Sequence, residues 1–147
     1  MQAGGIMTIR VVRDQTARMR HQVHIGPHVF AVDESPEMGG DGSGPSAHDL
    51  YDAALGACKA LTVLWYANRK HIPVQGIEVL VTRDSREERA GTYRLSTVLS
   101  FTGDLTDAHR EDLLRVAKKC PVHKLMTEVK TEIETSLAPR SGLVGNQ

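Results

Sequence analysis

The 147-residue sequence predicts an α+β fold, on three observations. Residues 48–71 (HDLYDAALGACKALTVLWYANRKH) are apolar almost all the way round for about five turns, the pattern of a helix at the centre of a fold. Short β-branched runs separated by turn residues precede and follow it, as antiparallel strands do. A second, amphipathic helix stands between two of those runs, so helices are segregated from strands and there is no βαβ alternation. The whole chain, 1–147, reads as one domain, large enough to bury a single core, with 1–6 and 139–147 expected to be loosely ordered.

Taken in order, residues 8–13 carry Ile9, Val11 and Val12 and predict a first strand. Residues 19–25 alternate, with Met19, His21, Val23 and Ile25 on one face. Gly26-Pro27 is turn punctuation, and 28–33 resumes with Val29, Phe30 and Val32, which predicts a hairpin. Residues 34–47 are rich in glycine and predict a mobile loop; they lack the lysine and spacing of a P-loop. Asp49 and Asp52 near the front of the long helix, and Asn68, Arg69 and Lys70 at its back, suit the helix dipole. Ile72-Pro73 ends it. Residues 74–82 (VQGIEVLVT) and 92–102 (TYRLSTVLSFT) predict two strands around a solvated charged loop, DSREERAG. Residues 105–119 form the amphipathic helix, with Thr106 as N-cap and Leu113, Leu114 and Val116 on its buried side. Pro121 opens a short helix over 122–127. Val129, Thr131, Ile133 and Thr135 alternate and predict a last strand over 129–136.

The formal net charge is zero and aromatics make up 4% of the chain. Both argue against a nucleic-acid surface or attachment to an acidic membrane. No basic-then-apolar leader is evident, and the long apolar helix is charged at both ends, so a soluble, cytoplasmic protein is expected. Among the seven histidines, His21, His24 and His28 lie close together but on alternating faces and across a turn. They make no metal-ligand set with a cysteine, and no metal or organic cofactor is expected.

The two cysteines, Cys58 and Cys120, carry the chemistry. An unperturbed thiol is mostly protonated at neutral pH, and a reactive one needs a cationic neighbourhood. By that local criterion Cys120 is the more activated. It opens a helix, follows Lys118 and Lys119 and precedes His123 and Lys124, whereas Cys58 sits mid-helix beside Lys59. Inert core thiols are the plain alternative.

The run GGDGSGPSAHDLYDAALGACKALTVLWYANRK, with AKKCPVHKLM downstream and GPHVFAVDESPEMGG upstream, resembles the OsmC/Ohr superfamily, and more narrowly its OsmC-like branch. The resemblance covers nearly the whole chain. It implies an intertwined homodimer with antiparallel sheets wrapped around central cysteine-bearing helices. It also implies a thiol peroxidase that reduces organic hydroperoxides in oxidative-stress defence. On that pattern Cys58 is the peroxidatic cysteine and Cys120 the resolving one, which reverses the local reading. A lipoylated or thioredoxin-like dithiol would restore the pair. The family also holds its reactive thiolate with an arginine fixed by a carboxylate. The carboxylate carries over to Asp49, which lies nine residues before Cys58 and so on the opposite side of one helix. Arg18 and Arg20 are both in range for the arginine, Arg20 being favoured by its offset from Gly26. Ala47, Tyr51 and Asp52 depart from the branch pattern, and Asp49 stands where the better-known peroxidases carry Glu. A redox sensor or small-molecule-binding protein with little turnover is the alternative function on the same fold.

Overall fold

The computed structural model describes residues 4–140, so the expectations for residues 1–3 and 141–147 lie outside the described residues. Strands β1 (Arg10–Arg13), β2 (His21–Ile25) and β3 (His28–Val32) form a three-stranded antiparallel sheet in that order. The β2–β3 turn places Gly26 at φ 56°, a conformation that favours glycine. Helix α1 (Ala47–Lys70) follows, then a long hairpin of β4 (Val74–Asp84) and β5 (Arg94–Gly103), and finally α2 (Asp107–Ala117) and α3 (Pro121–Thr127). The architecture is α+β with antiparallel sheets, as expected.

Local chemistry sets the ends of these elements. Ser46 caps α1 through a capping box: its hydroxyl accepts from the Asp49 amide at 3.2 Å, and the Ser46 amide donates to the Asp49 carboxylate at 3.0 Å. At the other end His71 takes a left-handed conformation, φ 55°, and its amide closes on the Ala67 carbonyl. Thr106 caps α2 as its sequence position predicts. Pro121 occupies the first turn of α3, with Cys120 at the cap position.

Helix α1 packs on β4, α2 and α3. Gly56 makes the close approach to β4 possible, since a Cβ there would lie 2.9 Å from Val81 Cγ2. One core cluster joins Val63, Ala67, Phe101, Leu113 and Ala117; a second joins Leu55, Cys58 and Cys120. The other side of α1 remains open: Tyr51, Leu61, Leu64 and Trp65 are 39–62% exposed. Burial on every side, expected from the sequence, is met on one side only within a single chain.

Two expectations are corrected. Residues 129–136 form no strand; Val129 and Ile133 are exposed, and among the described residues the segment pairs with no strand. The glycine-rich loop is anchored. The buried Asp33 carboxylate accepts from the Ser43 hydroxyl at 2.7 Å and from the amides of Ser43, Glu34 and Asp41. These bonds, led by those from Ser43, hold Asp33 well below the usual carboxylate range.

Candidate functional site: two clustered cysteines beside a cleft

Cys58 and Cys120 are 62 residues apart in sequence, yet the fold packs them into one buried cluster with Leu55. The buried face of α1 runs through Asp52, Leu55, Cys58, Lys59 and Thr62, and α3 lies across it. That crossing aims the Val122 amide at Cys58 Sγ, 3.4 Å away, and Thr62 Oγ1 stands 3.8 Å from the same sulfur. A donor from the first turn of α3 therefore reaches Cys58, midway along α1. This could not be read locally, because the helix that supplies it comes from the far end of the chain.

Cys120 is fully buried, while Cys58 is 8% exposed and nearer the surface. Burial pushes the Cys120 thiol up; the His123 backbone amide and the Lys59 ammonium act against that rise. The fold thus resists ionisation of Cys120, contrary to its local sequence. Above the pair, Tyr51, Leu55, Tyr93, Leu95, His123, Met126 and Thr127 line a cleft of about 310 Å³. Its floor is shared with the cysteine cluster through Leu55, Leu95 and Met126.

The front of α1 carries the charged part of the site. Asp49 Oδ1 accepts from Arg83 at 2.6 Å, Asp52 accepts from Arg83 Nε, and the Tyr93 hydroxyl donates to Asp52 at 2.6 Å. Asp49 is held below its usual range by the Ser46 amide and then by Arg83, while Arg83 is raised by Asp49 and then Asp52. Desolvation first, and then Asp52, pushes the Tyr93 phenol up. Arg20, by contrast, is bound to Asp14 at 2.6 Å and reaches Ser43; Arg18 reaches the Gly40 carbonyl. Within one chain the structure brings Asp49 together with Arg83, and neither Arg18 nor Arg20 with Asp49 or Cys58. Among the described residues no guanidinium hydrogen-bonds to Cys58.

Arg83, Tyr93 and Lys59 were not singled out from the sequence as site residues. The signal for Arg83 was Asp49 and Asp52 themselves, two carboxylates at i and i+3 on one helix face, one of them on the buried side and in need of a cation.

Among the described residues no helix is long and apolar enough to cross a membrane. No curated protein matches the sequence. Solved structures share the fold at low identity. An OsmC-like protein of Mycoplasma pneumoniae is 17% identical, with TM-score 0.69, over 86% of this chain and 91% of that one. The organic hydroperoxide resistance protein OsmC of Legionella pneumophila is 19% identical, with TM-score 0.61, over 86% and 93%. The organic hydroperoxide resistance protein OhrB of Bacillus subtilis is 20% identical, with TM-score 0.56, over 84% and 92%. The family described as OsmC-like protein matches residues 40–136, a span that holds both cysteines and both charged partners of Arg83, and the chain belongs to that family.

Proposed function

We propose that the protein is a thiol peroxidase for organic hydroperoxides, with Cys58 peroxidatic and Cys120 resolving. The observation that carries this reading is that two cysteines from distant parts of the chain share one buried cluster, whose Leu55, Leu95 and Met126 also line a cleft. The Cys58 thiolate, with the Val122 amide as donor, attacks the distal peroxide oxygen. The O–O bond breaks, the alkoxide takes a proton and leaves as an alcohol, and Cys58 becomes a sulfenic acid. The Cys120 thiolate attacks that sulfur, the S–O bond breaks, and the departing hydroxide leaves as water. A dithiol, lipoylated or thioredoxin-like, reduces the disulfide and is itself oxidised. The apolar side chains on the cleft's floor, Leu55, Leu95 and Met126, favour a hydroperoxide with a hydrocarbon body over hydrogen peroxide.

A second copy of the chain is the proposed partner. The exposed apolar side of α1 and the unpaired alternation of 129–136 are what an intertwined dimer would cover and pair. In that arrangement Arg20 could act on Cys58 only across the interface. Arg83, braced by Asp49 and Asp52, is the arginine offered from within the chain.

The test is a thiol count by mass spectrometry before and after one equivalent of cumene hydroperoxide, with Cys58→Ser and Cys120→Ser alongside. A Cys58–Cys120 disulfide in the wild type, and a sulfenic acid trapped only in Cys120→Ser, is the expected result. Sulfenic acid on Cys120 would reverse the roles, and two unreactive thiols would end the peroxidase reading. The sensor alternative draws on the burial that opposes Cys120 ionisation. It predicts one round of oxidation and no sustained turnover with dihydrolipoamide.

A further inference from the structure

Lys59 is 3% exposed, and among the described residues no carboxylate lies within ion-pair distance of it. Its Nζ donates to the Ala117 carbonyl at 2.9 Å, at the C-terminal end of α2, and to His123 Nδ1 at 3.0 Å. Both partners are neutral acceptors. A buried ammonium held only by neutral groups is costly unless an anion joins it. The Cys120 thiol is the ionisable acid at this point of the fold: the Cys120 amide donates at 3.4 Å to the same Ala117 carbonyl that accepts from Lys59.

We propose that Lys59 is the built-in counter-ion of the Cys120 thiolate, holding it as nucleophile when the disulfide forms and as leaving group when the disulfide is reduced. The proposal deepens the peroxidase reading and rests on it for the catalytic consequence, though not for the ion pair itself. In the forward step Cys120 gives up its proton, attacks the Cys58 sulfenic sulfur, and the expelled hydroxide takes up a proton to become water. In the reverse step the less buried sulfur is that of Cys58, so an incoming dithiol thiolate attacks there. The Cys120 sulfur then departs with the electron pair of the S–S bond, and a stabilised thiolate leaves faster. His123, whose Nδ1 accepts from Lys59, also lines the cleft. Other charged or titratable groups also face Cys120: Cys58 from α1, Lys118 and Lys119 from the turn after α2, His123 and Lys124 from α3, and Glu128 beyond it. Lys59 is the one of the lysines that is buried.

The experiment titrates the thiolate ultraviolet absorbance of Cys120 in the Cys58→Ser protein, with and without Lys59→Gln or Lys59→Arg. Gln keeps a donor for Ala117 and His123 while removing the charge; Arg restores the charge. Lys59→Gln is expected to move the midpoint up by about one pH unit or more, and Lys59→Arg to return most of that shift. In the two-cysteine protein, Lys59→Gln should also lengthen at least several-fold the lifetime of the Cys58 sulfenic acid, read by dimedone trapping. A lower melting temperature with an unchanged midpoint would overturn the proposal and leave Lys59 as a strut for the end of α2. Two thiols inert to peroxide, with a midpoint that still moves, would end the peroxidase reading and keep the ion pair.

Discussion

Replacing Arg83 by methionine tests whether the charged fork at the front of α1 is what allows Asp52 to be buried. Asp52 is 7% exposed, and its carboxylate has two side-chain partners, Arg83 and Tyr93. Methionine keeps the hydrocarbon stem against the helix and removes the cation. Removing one partner of a fully buried pair costs about 3–5 kcal/mol, and of an exposed pair about 0–1 kcal/mol. The Arg83 side chain is 32% exposed and the Tyr93 hydroxyl remains, so the expected loss lies between, at about 2 kcal/mol. For a chain of this size that is about 6 °C in melting temperature. Asp49→Asn touches the same guanidinium through a carboxylate that is half exposed and keeps the cap on Ser46, so about 0.5–1 kcal/mol is expected there. The assay is thermal and urea unfolding at one fixed protein concentration, with the Arg83→Met and Asp52→Asn cycle. The single losses should exceed the double loss by more than about 1 kcal/mol. Equal effects of Arg83→Met and Asp49→Asn, or an additive cycle, would show that Asp52 is buried without help from Arg83.

Other outcomes follow from the same structure. Asp33 is held well below the ordinary carboxylate range in the folded state, so its contribution is present above the unfolded pKa, near 3.8, and is lost as pH falls through the folded value. Asp33→Asn should therefore cost about 1–3 kcal/mol at neutral pH, with the penalty shrinking in urea titrations run at progressively lower pH. Gly56→Ala gains about 1 kcal/mol of helix propensity but presses a methyl against Val81, at a cost of about 1–3 kcal/mol. A net loss is expected by urea unfolding, and Val81→Ala in the same chain should restore it. Leu113→Ala empties a fully buried position in the larger core cluster and should cost about 2–5 kcal/mol by the same measurement. Trp65→Glu places a charge on the open side of α1 and should shift sedimentation of the proposed dimer toward monomer, with little effect on the chemical reactivity of Cys58 at matched concentration.

The parts of the fold that periodicity controls were legible in the sequence. The 24-residue helix, the long hairpin, the Thr106 cap and the Pro121 start each depend on neighbours in sequence, and each lies within a few residues of its expected place. Residues 129–136 failed for the opposite reason. Their alternation is real, but a strand needs a partner, and among the described residues the segment pairs with none. The site divides in the same way. Cys58, Cys120 and Asp49 stand out as residue types in motifs. The Val122 amide, the Arg83 guanidinium and the Lys59 ammonium enter the site through contacts between residues 31 or more apart in sequence, and local sequence does not encode such meetings.

Ile77, Val79, Val81 and Arg83 share one side of β4, and the side chains of Val79 and Val81 lie against Gly56 of α1. The pairing of β4 with β5 is continuous from Gly76 to Asp84, and its one irregularity falls between Val74 and Gly76. The parity of the strand is thus fixed from the bulge onward. One residue inserted between Ile77 and Arg83 would turn the guanidinium to the opposite face and leave the aspartate fork empty, although every side chain of the charged site was still present. One residue added or removed at Gln75 meets a segment where the ladder already absorbs a mismatch. Length variation in this hairpin is therefore safe at one end and disabling at the other.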